Sequence, residues 1–139
     1  MPIMVDESLV LPSQAQALID QRSVDYFNIR VSKNGGLVPA LRLAHLARKA
    51  GIAYQLGCMV GETAILSAAG RWFLSMVSRV KFAEGSYGTF LLCDDISSRP
   101  SRFGYGGRIK KPTRPGLGIS IDPIKLRRYK TAVLATLKF

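Results

Sequence analysis

Along residues 2–83, short runs rich in β-branched and aromatic residues alternate with longer stretches whose apolar residues recur every three or four positions. No other feature of the sequence limits the fold as much, because strands separated by helices pair in parallel through right-handed crossovers. Residues 2–5 (Pro2, Ile3, Met4, Val5) read as the first strand, closed by Asp6, Glu7 and Ser8. Ser13 is the expected cap of a helix reaching about Gln21, with Ala15, Leu18 and Ile19 on one side. Residues 25–31 form the second strand, and Asn34, Gly35 and Gly36 supply loop chemistry after it. The clearest helix covers residues 37–50: Ala40, Leu43, Ala47 and Ala50 share one face, while Arg42, His45, Arg48 and Lys49 share the other. Gly51 stands where a left-handed residue ends a helix most easily. A third strand over residues 53–58, a helix over 63–77 and a fourth strand over 80–83 complete the series. Beyond Gly85 the pattern gives way to loops and short segments, with a last helix expected from Pro123 to about Leu134.

In an open sheet or a barrel built this way, ligands meet the carboxyl ends of the strands. Those ends carry Asp6 and Glu7, then Arg30, then the run from Cys58 through Met59 to Glu62, then Glu84. Adjacent carboxylates at 6 and 7 suit a hard divalent cation, or are solvated loop acids. Arg30 suits a carboxylate or phosphate ligand, or makes a structural ion pair with a residue such as Asp6 or Glu84. Glu62 opens a helix, where an acid also complements the helix dipole, and Glu84 reads equally as a loop acid. A polar group at every strand end is a stronger signal than any one of them. His45, the sole histidine, falls on the wet face of its helix and is expected to have no catalytic or ligand role.

Composition narrows the class. With 47% hydrophobic residues over 139 positions there is enough apolar material for one core, and with 21% charged residues the chain is not a polar disordered one. The longest nearly uncharged stretch, residues 51–70, is broken by Glu62 and studded with Gly and Ala, which is weak for a membrane span. No basic leader precedes it, and the two cysteines, Cys58 and Cys93, form neither a CxxC nor a disulfide framework, so a cytoplasmic protein with reduced thiols is expected. The net charge of +11 is uneven. Residues 1–95 are nearly balanced and read as one unit, whereas residues 96–139 are strongly basic, with Asp122 as their single acid. Such a tail reads as a solvated basic surface or one that meets an acidic partner surface, with nucleic acid as the minority reading because its aromatics (Phe103, Tyr105, Tyr129) lack stacking-motif spacing and Gly and Pro interrupt it.

DESL at 6–9, FNIRVSKNGGL at 27–37, AYQLGCMVGETAILSAA at 53–69, FAEGSYGTFLLCDDIS at 82–97 and PGLGISID at 115–122 follow one another in order. Together they resemble the muconate lactonizing and mandelate racemase branch of the enolase superfamily over nearly the whole chain. The resemblance implies an α/β fold, part of a TIM-type (β/α) barrel, with strands five to eight in residues 1–95 and a basic tail with a final helix in 96–139. It implies a Mg²⁺-dependent isomerase that removes a proton next to a carboxylate, the enolate being held on the metal. A carboxylate's α-proton is too weakly acidic to leave unless the developing charge is neutralised.

Carried over by position, the resemblance makes Asp6 a metal ligand with Glu7 beside it, and places Arg30 where the branch has its sixth-strand lysine acid/base. It makes Cys58, Met59, Glu62 and Thr63 substrate-lining residues, and Glu84 an acid facing the substrate. Four departures stand out. The Phe82-Ala83-Glu84 run lacks the Asp-x-Asp of dipeptide epimerases, and no histidine marks the seventh strand as in acid-sugar dehydratases. Arginine keeps its charge at working pH and cannot serve as a base, so an electrostatic role is expected for Arg30. The capping domain, the Lys-x-Lys strand and the other carboxylate ligands have no counterpart in residues 1–139. The sequence therefore reads as a C-terminal fragment, inactive alone, whose partners are a small carboxylate substrate and the missing part of the barrel. Its open sheet edges favour self-association. The alternative is a non-catalytic half-barrel that binds an anionic partner such as nucleic acid through the basic tail.

Overall fold

The structure, a computed structural model, describes residues 1–85, 87–99, 105 and 108–131. Its centre is a parallel sheet of β1 (Met4–Val5), β2 (Tyr26–Arg30), β3 (Ala53–Gly57) and β4 (Val80–Ala83), in that spatial order. Helices α1 (Pro12–Asp20), α2 (Leu37–Lys49) and α3 (Ala64–Met76) connect them in turn. The register runs Val5–Phe27, Phe27–Tyr54 and Tyr54–Val80 across the sheet, with an irregularity on β3 at Tyr54 and Gln55.

Alternation along the strands separates the two faces. Phe27, Ile29, Val31, Tyr54 and Leu56 are buried and pack with Leu43, Ala47, Ala69 and Phe73 from the helices. Fully burying an aromatic or branched side chain of this kind contributes roughly 1.5–3 kcal/mol, so this layer is the chief source of stability. The opposite face carries Tyr26, Asn28 and Arg30 on β2 and Ala53, Gln55 and Gly57 on β3. Because Ala53 is small, the rings of Tyr26 and Phe82 approach across it, with centroids 6.2 Å apart. No described helix covers this face, and Phe82 is 51% exposed.

Element boundaries follow local chemistry. The first strand is shorter than residues 2–5 because Pro2 has no N–H and Ile3 bonds to Asp25 instead: its N–H donates to Asp25 Oδ2 at 2.7 Å. Ser13 does not cap α1. Pro12 opens that helix with its preset φ, and Gln14 Oε1 accepts from the N–H groups of Val10 and Leu11 at 2.9 Å each. The N-cap of α2 is Gly36, whose φ of 108° excludes other residues without strain, and Gly51 follows the helix end at φ 74°. α3 is capped from a distance: Asp95 Oδ2 accepts from Ala64 N–H at 2.8 Å, while Thr63 at the N-cap contributes no side-chain bond.

Among the described residues, β4 is followed by the short helices α4 (Tyr87–Leu91), which the sequence pattern did not predict, and α5 (Pro123–Tyr129). Asp122 caps α5, and the extended Lys130 ends it, short of the expected 134; residues 132–134 lie outside the described residues. Lys125 Nζ donates to Asp94 Oδ1 at 2.6 Å and Tyr129 to Asp94 Oδ2 at 3.2 Å, so α5 is tied to the segment that caps α3. Among the described residues no helix is long and apolar enough to cross a membrane, and neither Cys58 nor Cys93 is in a disulfide. His45 is exposed, as its helical position predicted.

Candidate functional site at the strand ends

The carboxyl ends of the four strands bring the sequence-predicted residues into two linked groups. In the first, Arg30 and Lys33 face Asp6 and Glu7. Arg30 Nη2 pairs with Asp6 Oδ2, and Arg30 Nη1 donates to Glu7 Oε1 at 3.1 Å. Lys33 Nζ donates to Asp6 Oδ1 and to the Asp6 carbonyl, both at 2.6 Å, and to the Asn28 carbonyl at 3.2 Å. Met59 places its Sδ 3.2 Å from Arg30 Nη1. Burial works to raise the Asp6 pKa, but the Lys33 hydrogen bond and charge, the Asn28 side chain and the Arg30 charge together hold it below its ordinary 3.8.

The second group lies at the ends of β3 and β4. Glu84 accepts from Cys58 N–H at 3.2 Å and from Gln55 Nε2 at 3.4 Å, and the Cys58 Sγ is 3.9 Å from the same carboxylate. Glu62 is buried, where its Oε1 accepts from Met59 N–H at 2.8 Å and from Ser32 Oγ at 3.2 Å. Burial pushes the Glu62 carboxyl above its ordinary 4.5, against those two bonds and the Arg30 charge. Cys58, Glu62 and Glu84 line a small open cleft beside α3, together with the apolar Val31 and Leu56.

A polar row joins the groups across the unpartnered face. Gln55 Nε2 donates both to Asn28 Oδ1, at 3.0 Å, and to Glu84 Oε1, and the Asn28 side chain bonds Asp6. Each strand, or the residue just past its end, thus contributes one member: Asp6, Asn28, Gln55, Glu84.

The strand-end reading brought Asp6, Arg30, Met59, Glu62, Cys58 and Glu84 into this region, and the ion pair open to Arg30 forms with Asp6 and Glu7, while Glu84 bonds Gln55 and Cys58. Thr63 lies at the start of α3 and makes no side-chain bond at its N-cap position there. Lys33, Asn28 and Gln55 were not singled out. Lys33 falls between the second strand and the Asn34, Gly35 and Gly36 loop, with no local pattern to mark it, whereas Asn28 and Gln55 announce themselves as amides interrupting apolar strands.

The enolase C-terminal domain-like family model matches residues 1–125. Muconate cycloisomerase 1-2 of Acinetobacter lwoffii is 33% identical over 129 residues, which are 93% of this chain and 33% of that protein. The crystal structure of 2-chloromuconate cycloisomerase from Rhodococcus opacus superposes with a TM-score of 0.85 at 32% identity, covering 95% of this chain and 35% of that one. N-succinyl Arg/Lys racemase from Bacillus cereus superposes with a TM-score of 0.81 at 30% identity, over 95% of this chain and 34% of that one. The chain spans about a third of the length of the relatives it matches.

Proposed function

Because the chain belongs to the enolase C-terminal domain-like family, we propose that it is the C-terminal barrel portion of an isomerase that removes a proton next to the carboxylate of a small substrate. Cycloisomerase, racemase and epimerase chemistry all fit this description, and the chain alone is inactive in this reading. One observation carries it: adjacent parallel strands deliver Asp6, Arg30 and Glu84 to the same end of the sheet, where barrels of this architecture hold their sites.

The roles follow from the chemistry of each group. Arg30 stays protonated and acts as a fixed cation toward the substrate carboxylate or the enolate, and the base comes from outside this chain. Glu84 faces the substrate, and Cys58, Met59, Glu62 and Thr63 line its pocket. The remainder of the barrel, with its capping domain, is the partner that completes the site, and the exposed inner face and free edges of β1 and β4 also favour self-association.

Bound Mg²⁺ would supply charge neutralisation for the enolate in the complete protein. The residues of this chain do not fit as its site: both oxygens of Asp6 are held by cations, and among the described residues no three His, Cys, Asp or Glu side chains cluster to hold a metal. Further ligands would come from the rest of the barrel.

Complementation tests the proposal. The chain is mixed with a separately produced N-terminal portion of a muconate cycloisomerase, and α-proton exchange of carboxylate substrates into D₂O is followed by NMR. Exchange is expected in the mixture and in neither part alone. A stable mixed complex with no exchange across a carboxylate panel would abandon the isomerase reading.

A second reading rests on the exposed cations Arg108, Lys110, Lys111 and Arg114, which suit an anionic partner such as nucleic acid. Salt-dependent binding of an oligonucleotide by the chain alone, lost on neutralising these four residues, would favour it.

A further inference from the structure

The strand end where the resemblance expects a metal ligand already holds a cation. The Lys33 ammonium sits among three oxygens, Asp6 Oδ1, the Asp6 carbonyl and the Asn28 carbonyl, at 2.6, 2.6 and 3.2 Å. An ammonium has three N–H donors, so each oxygen takes one and none remains. The Lys33 side chain is only 8% exposed, so the ammonium itself is largely shielded from water. Arg30 occupies the other oxygen of Asp6 and extends to Glu7.

We propose that Asp6 is not a metal ligand in this chain but the shared counter-ion of Lys33 and Arg30, with the Lys33 ammonium seated in the oxygen cage that a divalent ion would need. Mg²⁺ dehydrates reluctantly and requires near-octahedral oxygen geometry, so a single carboxylate already bridged by two cations is a poor competitor for its waters. Placing a further divalent charge on Asp6 would set it against both cations unless Lys33 left its seat. The interactions also give Lys33 a positive role: it fastens the two-residue edge strand β1 to the end of β2.

The inference rests on the isomerase reading only for the choice of ion, and it is tested without turnover. The full chain is titrated with Mg²⁺ by calorimetry and with Mn²⁺ by loss of the free-ion electron paramagnetic resonance signal, alongside Asp6→Asn. No saturable site that depends on Asp6 is expected at millimolar metal, and binding unchanged in Asp6→Asn would place the ion elsewhere and leave the proposal standing. Submillimolar binding lost in Asp6→Asn would overturn it. Should Asp6→Asn fail to fold, acetylation of Lys33 in the unmodified chain is read by mass spectrometry across the same Mg²⁺ range. Steady protection is expected, whereas protection that disappears as Mg²⁺ rises would show the metal displacing the ammonium. Failure of the complementation experiment with these results intact would remove the isomerase reading and leave the Lys33–Asp6–Arg30 arrangement in place.

Discussion

Asn34 offers the sharpest test of how this half-barrel is held together. It is 4% exposed and sits just after β2, yet it serves two separate stretches of chain. Its Oδ1 accepts from Arg30 N–H at 2.9 Å, and its Nδ2 donates to the carbonyls of Leu9 and Val10 at 2.8 and 3.2 Å. Asn34→Ala removes all three bonds while keeping the local backbone free to fold. At about 1 kcal/mol net per bond, and more where a buried partner is left unsatisfied, the loss comes to about 3 kcal/mol. With an m-value of about 2 kcal/mol/M, the urea midpoint falls by about 1.5 M. The assay is equilibrium urea unfolding followed by fluorescence of Trp72, the single tryptophan, which lies on α3. Asn34→Asp keeps the acceptor but aims a carboxylate at two carbonyls. It should lose as much stability at neutral pH and recover part of it on acidification, when the protonated carboxyl can donate. A midpoint shift under about 0.25 M for Asn34→Ala would refute the reasoning, because three buried bonds cannot be lost so cheaply.

Three further outcomes are expected. A Cβ on Gly57 would collide with the buried Asn28 Oδ1 and meet Arg30 Cγ at 3.0 Å, so Gly57→Ala should cost about 2 kcal/mol or more in thermal unfolding, overpacking being the mechanism. Asp95→Ala removes the distant cap of α3 and the acceptor of Ser97 N–H, a loss of about 1 kcal/mol that Asp95→Asn should restore only in part because its amide keeps one of the two acceptor oxygens, checked by helical circular dichroism during melting. The pH dependence has two opposite parts. Asp6, held below 3.8 in the folded chain, adds stability above that value that is lost as pH falls through its folded pKa. Glu62, raised above 4.5, subtracts stability as pH climbs from 4.5 through its folded pKa, so Glu62→Gln should flatten that decline in urea midpoints measured across the range.

The order of strands and helices was legible because each crossover helix carries its own apolar stripe, and the strand ends follow from that order. The caps were not. Ser13 has the right chemistry for a cap, but Pro12 and the Gln14 side chain set the start of α1 two residues earlier, with Leu11 at the cap, and propensity cannot rank such rivals. The cap of α3 comes from Asp95, a separation that no local pattern encodes. At the site, the residue types at the strand ends were readable, whereas their pairing was not: Arg30 had several acids within conceivable reach, and only the register that sets β1 beside β2 selects Asp6 and Glu7. Lys33 escaped because a lysine in a polar loop is ordinarily solvated, and burial beneath the first β–α connection makes it otherwise.

The two faces of the sheet differ in a way that bears on what covers the second one. Parallel sheets are stable with both faces covered, and here only the helical side is closed by described elements. The inner side shows exposed Phe82 at one end and the ionic cluster at the other, with the Asp6–Asn28–Gln55–Glu84 row between them. Covering a polar surface ordinarily costs a few kcal/mol for each group that loses water without gaining a partner. In this row the partners are already in place, donor to acceptor across neighbouring strands, and Asn28 and Gln55 are buried before anything docks. Closing the face therefore removes apolar rings from water at little polar penalty. Such pairing gains nothing for a face in permanent contact with solvent and lowers the polar cost of covering it.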